Sequence, residues 1–322
     1  MGLVHRTPVL SSSAAARLMR ETHGLEIAEG RLYGKAEHLQ KTGSFKPRGI
    51  STRIAALSPA ERERGVITLS AGNAGQAYAW AGAALGVPVT VVMPAGAVRS
   101  KVEACIGYGA EVVLHGEHVG ETFSEMERLR DERGLTFCHP FDDPDVIAGH
   151  GSIGLEVLED LPEVDVVVVP IGGGGLISGV AAALKESRPS IRVYGVEPAG
   201  ADAMTRALDT GEPVRMQPVT VADGLAAPFA GAWTLAMVQR YVDEVVLLDD
   251  ATILMGVRFA AERMKQVLEP AGGAALAAVL AGRLPIRPGE RVCVLLSGGN
   301  VEIARLGPLL EGAVPLPVAA PA

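Results

Sequence analysis

Aromatic and cysteine residues are scarce in this sequence. Phe, Trp and Tyr together make up 4% of the 322 residues. The three cysteines, Cys105, Cys138 and Cys293, lie far apart and form no C-x-x-C pair. Neither a disulfide framework nor a structural zinc site is therefore expected, and this usage is typical of a protein kept in a reducing cytoplasm.

Positive charge and a leader segment are also lacking. Lys and Arg number 29 against 37 Asp and Glu, so the net charge is -8, and the acidic residues are scattered along the chain. A nucleic-acid or anionic-membrane partner is therefore not expected. No basic start precedes an apolar stretch, so no secretion signal is expected. The longest charge-free run, residues 166–184, contains Pro170 and four consecutive glycines, which predicts a buried strand, a loop and a helix instead of a membrane span.

Glycine, by contrast, is abundant, with 39 residues, and apolar runs alternate with Ala-rich stretches. Between residues 65 and 114 the order GVITLS, NAGQAYAWAGAALG, VPVTVVMP, KVEACIGYG and AEVVLH predicts strand, helix, strand, helix and strand. The pattern begins again at DVVVVPIG and continues to a last strand in RVCVLLSGGN. Strands with continuous apolar runs are buried on both faces, so the sequence predicts an α/β fold with parallel sheets.

Three glycine-rich motifs follow predicted strands: SAGN at residues 70–73, GGGG at residues 172–175 and SGGN at residues 297–300. Ligands of open α/β sheets bind at the carboxyl ends of strands, so one cleft is expected to collect all three motifs. The glycine loop, residues 172–175, fits a phosphate held by main-chain N–H groups and a helix N-terminus, and a tight turn required by helix–sheet packing explains it equally well. No P-loop Lys follows, and Glu197 keeps an NAD-type dinucleotide site open as an alternative.

The most distinctive segment is KAEHLQKTGSFKPRGI, residues 35–50. With SAGN, GGGG and SGGN, and with FDDPDVIAGHG, GVEP, ADG and MKQVLEPAGGAAL in order, the sequence resembles pyridoxal-phosphate enzymes of the tryptophan synthase β type, or fold type II. Within them it is most similar to the threonine/serine dehydratases and serine racemases, over nearly the whole chain. The resemblance implies two lobes, each a mostly parallel sheet flanked by helices. Residues 1–61 and 143–322 would form a large cofactor-binding domain, and residues 62–142 a small mobile domain carrying the asparagine loop, residues 70–74.

The resemblance implies pyridoxal 5'-phosphate as the cofactor and Lys46 as the catalytic residue, which binds the cofactor aldehyde and later moves the α-proton of the substrate. Such a lysine needs an amine kept neutral by a positive or desolvated surrounding. The implied cofactor contacts are Phe45 and Lys46, Asn73 on the ring oxygen, Gly172, Gly173, Gly174 and Gly175 around the phosphate, and Ser297 facing the pyridine nitrogen. The implied substrate contacts are Ser70, Ala71, Gly72, Asn73 and Ala74 around the carboxylate. Thr42 and Ser44 are expected to cap the helix that follows them.

Two departures from the family pattern fall in the asparagine loop. Dehydratases and racemases usually read S-x-G-N-H, whereas Ala74 stands here in place of the histidine. Carboxylate binding must then rely on main-chain groups or another residue, unless the histidine serves geometry only. Racemases also carry a second serine as acid/base on the face opposite the lysine, where this sequence has Ala71. Without a proton donor there, elimination is expected to exceed racemisation.

Two further departures lie elsewhere. Related enzymes with a divalent-metal site have Glu, a main-chain carbonyl four residues on and Asp six residues on; Glu197 and Ala201 match, but Ala203 does not and the nearest acid is Asp202. A hard cation needs several oxygen ligands, so no metal is expected and Glu197 with Ala201 is interpreted as a remnant. His150 replaces the commoner glutamine of AGQG and is interpreted as a hydrogen-bonded structural residue in preference to a base.

The implied reaction is β-elimination of water from an L-β-hydroxy-α-amino acid of the threonine/serine type, giving a 2-keto acid and ammonia. At 322 residues no appended regulatory domain is expected, which favours the short catabolic dehydratases. The alternatives are a racemase or a replacement enzyme such as threonine synthase of the same fold, an NAD-type dinucleotide-binding protein, and a cofactor-binding regulator without turnover. The expected partners are a small amino-acid substrate and a second copy of the chain, because relatives are usually homodimers.

Overall fold

The computed structural model describes residues 2–316. Its strands are β1 (Val9–Ser12), β2 (Leu32–Lys35), β3 (Val66–Leu69), β4 (Val89–Met93), β5 (Glu111–Leu114), β6 (Thr136–Phe137), β7 (Val166–Pro170), β8 (Arg192–Pro198), β9 (Glu244–Leu248) and β10 (Val292–Leu295). Its α-helices are α1 (Ser13–His23), α2 (Lys46–Ala55), α3 (Pro59–Arg64), α4 (Asn73–Leu85), α5 (Arg99–Gly107), α6 (Val119–Arg133), α7 (Pro144–Asp160), α8 (Gly175–Ser187), α9 (Ala203–Thr210), α10 (Ala232–Tyr241), α11 (Asp250–Phe259), α12 (Pro270–Leu280) and α13 (Ile303–Glu311). A π-helical turn, Ala260–Met264, follows α11.

The larger sheet has six strands in the order β1-β2-β10-β7-β8-β9. Only β1 and β2 pair antiparallel, and the other neighbours are parallel. The apolar run of β7 explains why this sheet is buried on both faces. Val166 and Val168 belong to a core shared with α1, α11 and α12, whereas Val167 and Val169 belong to a core shared with α7, α8, α9 and α10. The parallel, doubly covered sheet that the sequence predicts is confirmed.

The smaller sheet has four parallel strands in the order β5-β4-β3-β6. Ala77, Tyr78 and other residues of α4 pack on one face, and Met126 and Leu129 of α6 pack on the other. Helix α2 adds Ile50 and Ile54 to the first of these cores. The helix that begins at Lys46 therefore packs against α4 of the smaller-sheet core as well as against α7 of the larger one, although the sequence assigns it to the larger domain. The domain boundaries themselves stay a prediction.

Several expectations about local order are confirmed. Residues 65–114 form strand, helix, strand, helix and strand, and residues 166–184 form β7, a loop and most of α8. In the part of the chain described, residues 2–316, no helix is long and apolar enough to cross a membrane. SAGN follows β3, GGGG follows β7 and SGGN follows β10, so all three glycine-rich motifs lie at carboxyl ends of strands.

Candidate active site

The lysine loop, residues 41–46, is hydrogen-bonded along its length to the SGGN segment that follows β10. The Phe45 N–H donates to the Ser297 carbonyl at 3.1 Å, and Ser44 forms an antiparallel bridge with Gly298. The Gly299 N–H donates to the Gly43 carbonyl at 2.9 Å. These main-chain bonds bring the lysine loop and Ser297 together, although they lie at opposite ends of the sequence.

The expected caps of α2 are wrong. Phe45, and not Ser44 or Thr42, precedes the helix, and no side chain accepts from its first N–H groups. Thr42 has a φ of 58° and Ser44 is extended and paired with Gly298, so neither hydroxyl is placed at the capping position. Both hydroxyls are buried and have no hydrogen-bond partner within residues 2–316. The strand-like pairing with SGGN therefore overrides the local capping signal.

Three other charged residues of this motif, Lys35, Glu37 and Arg48, form a buried ion network with Glu156 of α7. The Arg48 guanidinium donates twice to Glu37, at 2.8 and 2.8 Å, and twice to Glu156, at 2.7 and 2.8 Å. Lys35 forms an ion pair with Glu156 at 2.6 Å. The two-pronged contacts fix β2, α2 and α7 relative to one another. The distinctive motif thus has one reactive residue and a set of charges that hold its helix in place.

The Lys46 amine is set up for nucleophilic chemistry. The side chain is half-buried, and Nζ donates to the Pro140 carbonyl at 2.9 Å and lies 5.1 Å from the centre of the Phe45 ring. Loss of solvation lowers the pKa of this amine to about 8, so roughly one tenth of it is neutral at pH 7. A neutral amine is what covalent attachment to an aldehyde requires.

His150 is a packed residue without hydrogen bonds. The imidazole is fully buried, and neither ring nitrogen has a hydrogen-bond partner in the part of the chain described. Its ring meets Phe45 edge-on, with 4.8 Å between the ring centres, and a Cβ at Gly49 would lie 2.5 Å from its Cε1. Burial and the charges of Lys46 and Arg48 hold its pKa well below the ordinary value. The interpretation as a hydrogen-bonded residue is wrong; the neutral ring supports Phe45 by packing.

The glycine loop is a cradle with no room for side chains. A Cβ at Gly173 would lie 2.4 Å from the Phe141 ring, and one at Gly175 would lie 2.8 Å from the Phe141 carbonyl. Gly174 has a φ of 92°, and a Cβ there would lie 2.8 Å from Thr234. No side chain caps α8, so its first N–H groups remain available to an anion. This arrangement fits the phosphate of pyridoxal 5'-phosphate.

The asparagine loop has a more open structure. A Cβ at Gly72 would meet only Ser70 Oγ, at 4.0 Å, and no side chain caps α4, which begins at Asn73. Ser70 Oγ accepts from the Gly72 N–H at 3.2 Å. The side chain of Ala74 belongs to the hydrophobic core between α4 and the smaller sheet and is 5% exposed. Free main-chain N–H groups at the start of α4 therefore offer a second anion site, one with space beside it.

Asn73 contacts two residues that the sequence analysis did not single out. Asn73 Nδ2 donates to Glu269 Oε1 at 2.7 Å, and Asn300 Nδ2 donates to Asn73 Oδ1 at 2.8 Å. Burial raises the pKa of the Glu269 carboxyl to about 7. Both residues lie within motifs that carry the resemblance, MKQVLEPAGGAAL and SGGN, but only the fold brings them to Asn73.

A cavity of about 400 Å³ lies between the two sheets, next to these residues. Its wall includes Glu269 and Asn300 from one side and Ser100 and Lys101 from the other. Two polar contacts join the sides: Lys101 Nζ to the Asp223 carboxylate at 2.5 Å and Ser100 Oγ to the Glu302 carboxylate at 2.6 Å. These two contacts tie α5 of the smaller-sheet side to segments of the larger-sheet side next to the cavity.

An aromatic group forms one boundary of the glycine loop, in a chain with few aromatic residues. The Phe141 ring lies 4.5 Å from the His139 ring and 5.7 Å from the Phe229 ring, between ring centres. Burial lowers the pKa of His139 to about 4, so its ring is neutral at physiological pH. The sequence signal for this group is the segment CHPFDDP, of which only FDDP, within the motif FDDPDVIAGHG, contributes to the resemblance.

The residues matching a metal site have other contacts. Glu197 Oε1 accepts from the Met204 N–H at 2.8 Å, and Oε2 accepts from the Thr205 N–H at 2.9 Å and from its hydroxyl at 2.7 Å. Asp202 pairs with Arg206 at 2.8 Å. Glu197 thus binds the first turn of α9, and burial raises its pKa to about 7. Both carboxylate oxygens of Glu197 are therefore engaged with the start of α9 in this structure, and the absence of a metal stays a prediction.

Comparisons with known proteins agree with this geometry. The profile of a family described as pyridoxal-phosphate dependent enzyme matches residues 2–298. An L-threonine ammonia-lyase of Thermotoga maritima is 43% identical over 94% of this chain and 73% of its own. The catabolic L-threonine dehydratase TdcB of Escherichia coli is 41% identical over 89% of this chain and 88% of its own. The solved structure of maize serine racemase matches with a TM-score of 0.88 and 36% identity, over 96% of this chain and 92% of that one.

Proposed function

Because this chain belongs to the pyridoxal-phosphate dependent enzyme family, we propose that it is an ammonia-lyase that removes water from an L-β-hydroxy-α-amino acid of the threonine or serine type. The products are a 2-keto acid and ammonia. Relatives named L-threonine ammonia-lyase and L-threonine dehydratase, 43% and 41% identical, support this reaction. The observation that carries the proposal is the Lys46 amine, which donates to the Pro140 carbonyl, next in the chain to the Phe141 ring that bounds the glycine loop.

The residues of the larger sheet would hold the cofactor. The glycine loop and the start of α8 would bind the phosphate, the Phe45 ring would pack by the pyridine ring, and Ser297 would face the pyridine nitrogen with a neutral hydroxyl. Asn73, from the smaller sheet, would donate to the ring oxygen. When bound, pyridoxal 5'-phosphate withdraws electrons from the α-carbon of an amino acid and so makes its α-proton acidic.

The protein groups would then act on the substrate as follows. Main-chain N–H groups of the asparagine loop hold the substrate carboxylate, because Ala74 has no side-chain donor. Lys46 Nζ takes the α-proton, a task suited to an amine whose pKa is lowered to about 8. The β-hydroxyl leaves as water by taking up one proton, which balances the α-proton that Lys46 has received. Water then hydrolyses the remaining enamine to the 2-keto acid and ammonia. Nitrogen and oxygen therefore balance without an added oxidant or reductant.

Racemisation is the second candidate, favoured by the similarity to maize serine racemase. Inverting the α-carbon requires a proton donor on the face opposite Lys46. The position at which racemases carry a serine is Ala71, whose methyl group has no proton to give. Elimination is therefore the main reaction of this chain.

Two further parts belong to the proposal. The chain forms a homodimer, which light scattering tests. Its activity is independent of a divalent metal, which EDTA treatment tests.

The test is 2-keto acid release by the purified protein with added pyridoxal phosphate. A panel of L- and D-β-hydroxy amino acids, including threonine, serine, 3-hydroxyaspartate and aryl-serines, is assayed with EDTA and then with Mg²⁺. The expected result is release of 2-keto acid from an L-substrate at a rate that is the same with EDTA and with Mg²⁺. Formation of the D-isomer without keto acid would support the racemase. Formation of neither product, with a lysine-bound chromophore present, would support a replacement enzyme.

A further inference from the structure

A chain of hydrogen bonds links the lysine loop to the asparagine loop through two side-chain amides. Asn300 Nδ2 donates to the Thr42 carbonyl at 2.7 Å and to Asn73 Oδ1 at 2.8 Å. Asn73 Nδ2 in turn donates to Glu269 Oε1 at 2.7 Å. Thr42, Asn300 and Glu269 belong to segments around the larger sheet, whereas Asn73 follows a strand of the smaller one. We call this chain of bonds the amide relay.

The Thr42 end fixes the direction of every bond in the amide relay. A main-chain carbonyl can only accept, so the NH₂ group of Asn300 must face Thr42. That NH₂ group has two hydrogens, and the second one meets Asn73. Asn73 must therefore turn its oxygen towards Asn300, which directs its own NH₂ group away. One hydrogen of that group is bound by Glu269, and the other has no partner within residues 2–316.

Packing keeps the Asn300 amide from turning over. A Cβ at Gly43 would lie 2.3 Å from Asn300 Oδ1, so the amide lies directly against the main chain of the lysine loop. Gly43 has a φ of 72°, and its carbonyl accepts from the Gly299 N–H at 2.9 Å. The SGGN segment and the lysine loop thus hold the amide from both sides. A turned amide would place its NH₂ group against this backbone and its oxygen against the Thr42 carbonyl.

We propose that Asn300 is a positioning residue that sets the orientation of the Asn73 amide and so directs the remaining Asn73 N–H at the bound cofactor. This rests on the proposed function, in which Asn73 donates to the cofactor ring oxygen. Asn300 acts through Asn73 and does not itself contact the cofactor. Because the two residues belong to different sheets, the same bonds hold the asparagine loop against the cofactor-binding side.

The experiment is a double-mutant cycle with Asn300→Ala, Asn73→Ala and the double variant. Cofactor affinity is read from chromophore absorbance on titration of apo protein with pyridoxal phosphate, together with the position and pH dependence of the absorbance band. Each single change is expected to weaken affinity by about fivefold to tenfold, as for loss of one buried hydrogen bond. The double variant should be no weaker than Asn73→Ala, because Asn300 acts only through Asn73.

An isosteric variant and a matched control complete the design. Asn300→Asp keeps the shape but cannot donate to Thr42 or Asn73, so it should lose at least as much affinity as Asn300→Ala and shift the absorbance band. If Asn300→Asp does not fold, as judged by its melting curve, Asn300→Ser replaces it. Ser100→Ala removes another hydrogen bond of the same cavity, to Glu302, and should leave cofactor affinity unchanged.

The outcomes separate this proposal from the proposed function. Additive losses in the double variant, or unchanged affinity and spectrum in Asn300→Asp, would overturn the role of Asn300 while leaving a cofactor-dependent enzyme. Failure of the wild-type protein to form a lysine-bound chromophore would overturn the proposed function, and the role of Asn300 with it. A loss in the double variant equal to that of Asn73→Ala alone supports the proposal.

Discussion

The glycine loop and the asparagine loop occupy equivalent places in their two sheets, but the first is tightly packed and the second is open. Each follows a parallel strand, β7 or β3, and each opens a helix that has no side-chain cap. In the glycine loop, an added Cβ would collide with Phe141, Thr234 or Leu225, at 2.4 to 3.1 Å. In the asparagine loop, an added Cβ at Gly72 would approach nothing closer than 4.0 Å.

This difference separates two tasks that use the same backbone device. In the proposed function the glycine loop binds the cofactor phosphate, and tertiary packing leaves no room there for an added side chain. The asparagine loop leaves space, and Ala71 and Ala74 are the positions there that depart from the family pattern that the sequence resembles. In the proposed function, packing around the glycine loop therefore fixes the phosphate site, whereas the asparagine loop serves both the cofactor, through Asn73, and the substrate carboxylate.

The largest expected effect comes from one substitution made in both loops. Gly174→Ala forces a side chain into a left-handed conformation, at a φ of 92°, against Thr234. Strain and overpacking together should weaken cofactor affinity on the order of 100-fold. The matched Gly72→Ala change should alter it less than about threefold, because the space is open. Chromophore titration measures the cofactor affinity of both variants, and their melting temperatures show whether they fold. Equal losses of affinity in the two variants would contradict the difference in packing between the loops.

Restoring a proton donor in the asparagine loop should change the reaction. Ala71→Ser places a hydroxyl where racemases carry one, and the ratio of D-isomer formation to keto acid release should rise on the order of tenfold. Cofactor affinity should stay as in the wild type, because the glycine loop and Asn73 are both unchanged. Chiral chromatography of the residual substrate measures the ratio. No change in it would show that Ala71 does not decide between the reactions.

The pH dependence of cofactor attachment should follow the Lys46 amine and neither loop. With a pKa of about 8, roughly one tenth of the amine is neutral at pH 7 and about nine tenths at pH 9. The rate of chromophore formation on apo protein should therefore rise about tenfold over this range and level off above it. Stopped-flow absorbance measures the rate. A rate that still rises tenfold per unit above pH 9 would show an ordinary exposed lysine.

The smallest effect is expected at the cavity between the sheets. Lys101→Asp or Asp223→Lys alone removes their ion pair and should raise the KM for the amino acid about threefold, as for a partly exposed pair. The double exchange should restore the KM, and none of the three variants should change cofactor affinity. Steady-state kinetics at low salt measures this effect. Weaker cofactor binding in the single variants would mean that the ion pair serves the glycine-loop side as well.

The sequence was informative wherever a short pattern determined the structure. The run VVVV of β7 predicted a strand buried on both faces. In the structure its successive valines enter two different hydrophobic cores, one on each face of the larger sheet. Residues 65–114 predicted the parallel smaller sheet in the same way. The family, the fold class and the reaction type followed from motifs that stand in one order along the chain, and the comparisons confirm them.

Contacts between distant segments were not accessible from the sequence. Asn300 and Glu269 meet Asn73 only because SGGN, the start of α12 and the asparagine loop converge at one edge. The capping expectation for Ser44 failed for the same reason, since pairing with Gly298 moved the helix start by one residue. His150 was expected to hydrogen-bond, and the packing of Phe45 and Gly49 around it left it none within the part of the chain that the structure describes.

The most direct test of the account is to locate the cofactor on the chain. Holoprotein is reduced with borohydride and digested with trypsin, and mass spectrometry then identifies the peptide that carries the pyridoxyl phosphate. We expect the label on the peptide of residues 42–48, TGSFKPR, at Lys46. In Lys46→Ala we expect neither the label nor keto acid release. A label on any other lysine, or turnover retained by Lys46→Ala, would contradict the account.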